Sequence, residues 1–283
     1  MKVDSKTAQG FGLKPHTQLS PVLEKCALAA SAKSSYQEAK RDLELLMGIH
    51  IGHSSLHRLV QRTPLAAVDG KRLVSGVSVD GGKIRLRTQA PGASSWRDYK
   101  AVSLHGSVCS AYFQENDALI DWVRQQRRTC LLTCGGDGHD GIWNIVQALG
   151  AESTRREVLD WFHLVENLFK VDAPRPCLER WKTLLWSGFV DDVREELQGF
   201  KSWAAQKFRA YLGKHRQRIV PYELFQELGW SIGSGSVEST VKRIGARVKL
   251  PGAQWSPEAV PQILRLRCAY LNGVFSLPNS ACA

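Results

Sequence analysis

The sequence predicts an α/β protein with a mixed sheet, preceded by a helical region and interrupted by a second helical stretch. Three observations predict it. Up to about residue 66 the apolar residues recur at helical spacing. From Arg72 the spacing becomes strand-like, and strands then alternate with helices. Between residues 171 and 230 the helical spacing returns, with bulky aromatics throughout.

The elements follow in order. Pro21 to about Lys33 reads as a helix, with proline at an early helical position. A second helix follows the Ser34/Ser35 cap and runs to Met47, closed by Gly48. A third starts after Gly52 with Ser54 or Ser55 as cap, and carries Leu56, Leu59 and Val60 on one face. Two helices joined by a short glycine-containing turn match a helix-turn-helix, which leaves His57, Arg58, Gln61 and Arg62 for a partner. Residues 1–20, rich in Pro, Gly, Ser and Thr, read as loosely ordered.

Val74–Asp80 reads as a strand closed by a tight Asp-Gly-Gly turn. Lys83–Thr88 and Tyr99–His105 read as two further strands. Asp117–Arg127 is then a helix, Thr129–Cys134 a buried strand, Ile142–Leu149 a helix, Arg156–Leu159 a short strand and Trp161–Lys170 a helix. The order β-β-β-α-β-α-β-α is that of a ribonuclease H-like core. Four segments follow: an N-terminal helical region (1–66), a first part of the core (67–170), a helical insertion (171–230) and a last part (231–283). The last part carries a helix through Glu238, a Pro251-Gly252 break, a helix around Ala259–Leu271 and a short tail.

Composition narrows the function classes. Of 283 residues, 38 are Lys or Arg and 27 Asp or Glu, a net charge of +11, with a pI near 9.4. Residues 201–250 alone hold ten basic residues against three glutamates. A basic chain with clustered charge is an expected footprint of nucleic-acid binding, although a solvated basic surface has the same composition. No apolar stretch of about 18 residues is present, which excludes a transmembrane helix. The N-terminus has no apolar core after its basic residues, so the sequence reads as cytoplasmic. Seven scattered cysteines without a CxxC pair point to reduced thiols, and no GxxxxGK[ST] loop is present. Cys130 and Cys134, on an apolar strand, read as buried.

Three carboxylates fall where chemistry is done. Asp80 ends the first strand, Asp137 ends the fourth between glycines, and Glu238 starts a helix after a Gly-Ser-Gly-Ser loop. In this strand order the first and fourth strands are neighbours, so Asp80 and Asp137 lie side by side. Their repulsion is relieved by a divalent cation. Oxygen-only sites suit Mg²⁺ or Mn²⁺, and a pair of such ions about 3.5–4 Å apart serves phosphoryl displacement. Taken singly, each Asp-Gly is also an ordinary turn dipeptide, as Asp69-Gly70 is expected to be.

The stretches VSVDGGKIRLRT, WRDYKAV, GDGHDGIWNIV, DWFHLVENL, IGSGSVESTVKRI and PGAQW, taken together, resemble the ISKra-type transposases of bacterial insertion sequences, a branch of the DDE superfamily. The resemblance runs from about residue 18 to residue 273. It implies a ribonuclease H-like core with a helical insertion between the second Asp and the Glu. By position, its triad falls on Asp80, Asp137 and Glu238, which would bind the metal ions. It further implies double-stranded DNA as partner (element ends and target), a homodimer on DNA, and a nucleoid-associated place in a bacterial cytoplasm.

Further residues join the expectation. Asp160 and His163, in DWFH, resemble the Asp/Cys-x-x-His signature of related transposases and read as supporting groups or as a helix cap. Asp140 reads as a cap for the helix after Asp137. Lys242, Arg243, Arg247 and Lys249 continue the Glu238 helix toward phosphates. Arg58 and Arg62 serve the N-terminal region. Among the aromatics of 171–230 core roles are expected, and Trp255 is the candidate for base stacking. Two other functions fit the same residues: a nuclease that cuts without joining, and a catalytically silent DNA-binding relative.

Overall fold

The computed structural model describes Thr7, Gly10, residues 19–88 and residues 95–276. The expected loose order of residues 1–20 falls largely outside them. The chain is α/β with a mixed five-stranded sheet, and it divides into two compact units. One comprises Met1–Val68, Lys83–Tyr99 and Lys242–Ala283; the other comprises Asp69–Gly82 and Lys100–Val241.

In the first unit α1 (Pro21–Lys33), α2 (Tyr36–Met47) and α3 (His53–Arg62) pack on one another. Ser20 caps α1. Ser35 and Glu38 close α2 with a reciprocal capping box, and Gly48 ends it in the left-handed conformation (φ 64°). These starts and stops are as the sequence predicts. The cap of α3 differs. Gly52 holds that position and neither Ser54 nor Ser55 supplies a side-chain cap. Leu56, Leu59 and Val60 are buried, whereas His57, Arg58, Gln61 and Arg62 are exposed. C-terminal helix α12 (Val260–Leu271) packs against α1 and α3. There Gln262 donates to the carbonyls of Val60 and Thr63, and Arg267 donates to those of Ala32 and Arg243.

The sheet has the order β3-β2-β1-β4-β5. Its strands are β1 (Val74–Leu86), β2 (Ser95–Leu104), β3 (Cys109–Tyr112), β4 (Arg128–Gly136) and β5 (Arg155–Leu159). The predicted turn at Asp80-Gly81-Gly82 does not form. β1 runs through it for 13 residues, and the third strand of the opening trio is Cys109–Tyr112 instead. Asp-Gly favours a turn only where local preference decides, and continuous burial from Val77 to Val79 followed by burial of alternate residues from Gly82 to Leu86 keeps this segment extended. β1 pairs with β4 in parallel, as β4 does with β5, while β2 and β3 are antiparallel.

In the second unit, helices α4 (Asn116–Gln125), α5 (Asp140–Ala148) and α6 (Trp161–Leu168) connect or follow these strands. The Asp69-Gly70 pair is not the turn the sequence suggests and is held by a side chain instead. The Gln126 amide accepts from Gly70 N at 2.7 Å and donates to Asp69 Oδ1 at 3.0 Å. Cys134 is buried but Cys130 is exposed, because β4 begins at its accessible end; the expected burial holds for only one of them. The six described cysteines are free.

Residues 171–230 are helical as expected, in α7 (Arg175–Trp186), α8 (Val190–Glu196), α9 (Trp203–Lys214) and α10 (Tyr222–Glu227). Trp181 and Tyr222 are fully buried, and the rings of Trp161, Trp186 and Tyr222 pack together. The expectation of core roles fails for Trp203 and Phe189, which are 74% and 55% exposed. A half-buried ion cluster ties this segment to the sheet: Arg218 Nε lies 2.6 Å and Arg155 Nε 2.7 Å from Glu157. His215, also buried, packs against Tyr211 and Trp143. Among the described residues no helix is long and apolar enough to cross a membrane.

His215 makes the fold sensitive to acid. Burial first, then the charges of Arg218 and Lys214, pull its pKa from 6.5 to about 4. The folded state holds it neutral, so its contribution is complete above pH 6.5 and is lost as pH falls from 6.5 toward 4. Urea midpoints measured across that window are expected to fall more steeply for the parent than for His215→Gln. Equal slopes would show that this histidine does not carry the effect.

Candidate active site

The candidate residues gather in the second unit, at one end of its parallel strands. Residues Ser78 and Gly135 are register partners in β1 and β4. The pairing stops there, two residues before Asp80 and Asp137, and Asp137 is near enough for its charge to act on Asp80. Glycines make the approach possible. A Cβ on Gly135 would lie 3.0 Å from Ser78 Oγ, and one on Gly136 would lie 2.7 Å from Ile142 Cγ2. Asp80 therefore sits within β1 rather than at its end, with Oδ1 accepting from Gly81 N at 2.6 Å. Asp137 follows the last residue of β4, and its Oδ1 accepts from His139 N at 2.8 Å.

The helix after Asp137 is capped by His139, whose Nδ1 accepts from Gly141 N at 3.1 Å. Asp140, the expected cap, instead pairs with Lys214 at 2.5 Å. Its position one residue inside the helix directs the carboxylate outward.

Asp160 is the most connected of the group. Its backbone N donates to Gly136 O at 2.9 Å, which fixes the end of β5 beside the end of β4. Its Oδ1 accepts from His163 N at 2.7 Å and so caps α6, while its Oδ2 accepts from Ser234 N. Ser234 lies just before α11 (Gly235–Val248), and its carbonyl accepts from Val237 N and Glu238 N, both at 2.9 Å. Ser234 Oγ also donates to Glu238 Oε1 at 3.1 Å. One buried carboxylate thus governs where Glu238 begins its helix. Capping and supporting roles, alternatives in the sequence, coexist in Asp160. The part played by Ser234 was not read from the sequence, although it lies inside the Gly-Ser-Gly-Ser loop. Tyr211, also unread, lies against Gly138, where a Cβ would be 2.6 Å from its ring.

Electrostatics follow from this packing. His163 Nδ1 lies 3.1 Å from Asp160 Oδ1 and 3.9 Å from Glu238 Oε1. The first contact is off the line of a hydrogen bond and acts as an ion pair. It is the largest influence on His163, which is raised to about 9 against the opposing effect of burial, with help from Asp137 and Glu238. Burial raises Asp160, but its hydrogen bonds from His163 and Ser234 outweigh this and bring it to about 2. Asp80 is raised, by burial first and then by the neighbouring charges of Asp137 and Glu238; Gly81 N–H and His163 work in the other direction.

Asp160, His163 and Glu238 bring one ligand atom each within 4.8 Å of one another, the one such group among the described residues. Both Asp160 oxygens already accept hydrogen bonds. Asp80, Asp137 and Glu238, the triad expected from the sequence, are partly exposed carboxylates that do not form a group this tight among the described residues.

The remaining candidates belong to the first unit. Arg58, Arg62, Lys242, Arg243 and Lys249 are exposed. Arg247 is not: it is 2% exposed and donates from Nε to Ser31 O at 2.8 Å, so it does not reach outward to phosphates. Trp255 is half-buried and fixed by Nε1–H to Val248 O at 2.9 Å. No protein-family model and no curated protein matches the chain.

The capping carboxylate provides a direct test. Asp160→Asn keeps a capping oxygen but removes the charge, so His163 is expected to titrate near the ordinary histidine value instead of about 9. Stability should fall by about 2 kcal/mol, since a buried charged hydrogen-bond network is broken. NMR titration of the His163 ring would decide; a value unchanged in the variant rejects this account of the site.

Proposed function

We propose that the chain is a DNA transposase of the DDE superfamily, similar to the ISKra type, built on a ribonuclease H-like core with residues 171–230 as its helical insertion. Asp80, Asp137 and Glu238 are its catalytic and metal-binding carboxylates. The observation that supports this reading is the parallel pairing of β1 with β4 as far as Ser78–Gly135, which continued by two residues leads to Asp80 and Asp137, beside the point where Asp160 and Ser234 hold the start of the Glu238 helix.

Mg²⁺ or Mn²⁺, two ions at such a site, would supply Lewis-acid stabilisation to the attacking and leaving oxygens. The chain's own residues do the rest. Asp80 and Asp137 form the adjacent pair of oxygen donors, and Glu238 closes the set from α11. The His163 imidazolium lowers the repulsion among these carboxylates and favours approach of a phosphodiester. Water attacks the phosphorus at the element end, the P–O3′ bond breaks and a 3′-hydroxyl is released. That hydroxyl then attacks target phosphorus, forming the new P–O bond and releasing a second 3′-hydroxyl, with no covalent enzyme intermediate.

Arg58 and Arg62 on α3, with Lys242, Arg243 and Lys249, supply salt-sensitive contacts to the DNA backbone. Because two ends must be joined, the working form is a homodimer on double-stranded DNA, in a bacterial cytoplasm at the nucleoid.

The test is a cleavage assay on labelled DNA taken from either side of the coding sequence, with Mn²⁺ or Mg²⁺ against EDTA. Metal-dependent strand cutting followed by joining is expected. Asp137→Asn should cut at background rate while a gel shift still detects binding. Cutting retained in that variant rejects the triad. Cutting without joining makes the protein a nuclease, and binding without cutting makes it a silent relative.

A further inference from the structure

The first unit contains a cleft of about 630 Å³ whose walls include Tyr36, His57, Gln61, Arg87, Arg247 and Trp255. Its floor is unusual. The Arg247 guanidinium is held between the Tyr36 ring at 5.3 Å and the Trp255 ring at 5.1 Å, and Nε is used by Ser31 O. Nη2 is buried with no hydrogen-bond partner among the described residues, and so is the Tyr36 hydroxyl. A buried donor without an acceptor is costly, and a charged one more so. Arg247 has no salt bridge among the described residues; the Glu38 charge acts on it favourably, and the buried guanidinium of Arg267 acts against it.

One wall is tied down by backbone hydrogen bonds. Trp255 N donates to Arg85 O at 3.0 Å and Arg87 N donates to Trp255 O at 2.8 Å, so the loop carrying the indole is stitched to the end of β1. The Pro251-Gly252 turn, with Gly252 at φ 77°, returns the chain from α11 to this stitch. His57 meets Tyr36 edge to face at 5.4 Å and leaves its outer side exposed.

These features specify a ligand. Flat aromatic walls suit a planar ring, the buried donors require acceptors on its edge, and exposed Arg87 at the rim suits a phosphate. A bare anion would satisfy Arg247 but leave most of the volume and the aromatic surface unused. The cleft is large enough for a whole nucleotide. We propose that this cleft receives one unpaired nucleotide of a DNA strand, its base packed against Trp255 and His57 and accepting from Arg247 Nη2 and Tyr36 Oη, its phosphate facing Arg87. The proposal rests on the DNA-acting reading above and adds a site remote in chemistry from the carboxylates, because it uses no metal.

The experiment titrates the full chain in EDTA with a duplex bearing one bulged 2-aminopurine and with the fully paired duplex of the same sequence. The bulged duplex is expected to bind about tenfold more tightly, the scale of one stacked base, with quenching of the 2-aminopurine emission. Trp255→Ala should bring the bulged-to-paired ratio close to one. His57→Ala and Arg87→Ala, at exposed positions that the core does not need, should each lower it severalfold and keep the test decisive if the tryptophan variant fails to fold. Equal affinity for the two duplexes, without quenching, overturns the nucleotide site and leaves the DNA reading standing. Binding to neither overturns both. Loss of the preference on adding millimolar inorganic phosphate overturns the nucleotide in favour of a simple anion site.

Discussion

Asp160 is buried, ionised and satisfied on every side, and the site is assembled around that one carboxylate. Its backbone N ties β5 to the last residue of β4, its Oδ1 starts α6, and its Oδ2 holds Ser234 at the threshold of α11. A buried charge on this scale is tolerated only when its hydrogen bonds are complete. Completing them requires residues 160–163 and Ser234, 74 residues apart in the chain, to converge. The bonds that make the charge acceptable therefore fix Glu238, which follows Ser234 by four residues, while the separate backbone bond to Gly136 holds the end of β4, after which Asp137 follows. His163 adds the counter-charge, so the acidic end of the sheet is not left wholly uncompensated.

Much of this was legible in the sequence because it is local. Cap and stop residues around α1 and α2, the alternation of strands and helices from Val74 to Leu168, and the adjacency of Asp80 and Asp137 all follow from spacing and from strand order. The failures share a cause: they are positions where tertiary packing overrides a local preference. Asp80-Gly81-Gly82 has turn chemistry, yet it runs extended within β1. Ser54 and Ser55 are good caps, but the chain enters α3 one turn earlier at Gly52. Ser234 was unreadable as a positioning group because its role exists only once Asp160, distant in sequence, is beside it.

Arg247 is the more instructive miss, since a signal was present. On α11 the buried residues Val237, Thr240, Ile244 and Val248 recur at helical spacing, and Arg247 lies three residues after Ile244 on that same face. Counting charges along 242–249 groups it with Lys242, Arg243 and Lys249; counting the period separates it. Its neighbours on the helix are exposed and available to solvent or to a polyanion, whereas its own head group is turned toward Ser31, Tyr36 and Trp255.

The helix α11 thus carries two kinds of charge for two kinds of purpose. Near its start, Glu238 is partly exposed beside Ser234 and His163, in a setting of neighbouring carboxylates. Near its end, Arg247 is buried between aromatic rings with a donor unused, a setting that calls for an acceptor. A single surface of uniform sign could not present both. Net charge of +11 explains why such a chain would meet a polyanion at all, but the discrimination between backbone, metal and base comes from burial: exposed lysines and arginines read only charge, while enclosed groups read shape and hydrogen-bond polarity. In the proposed reading the few enclosed polar groups carry the selectivity and the many exposed basic ones only the attraction.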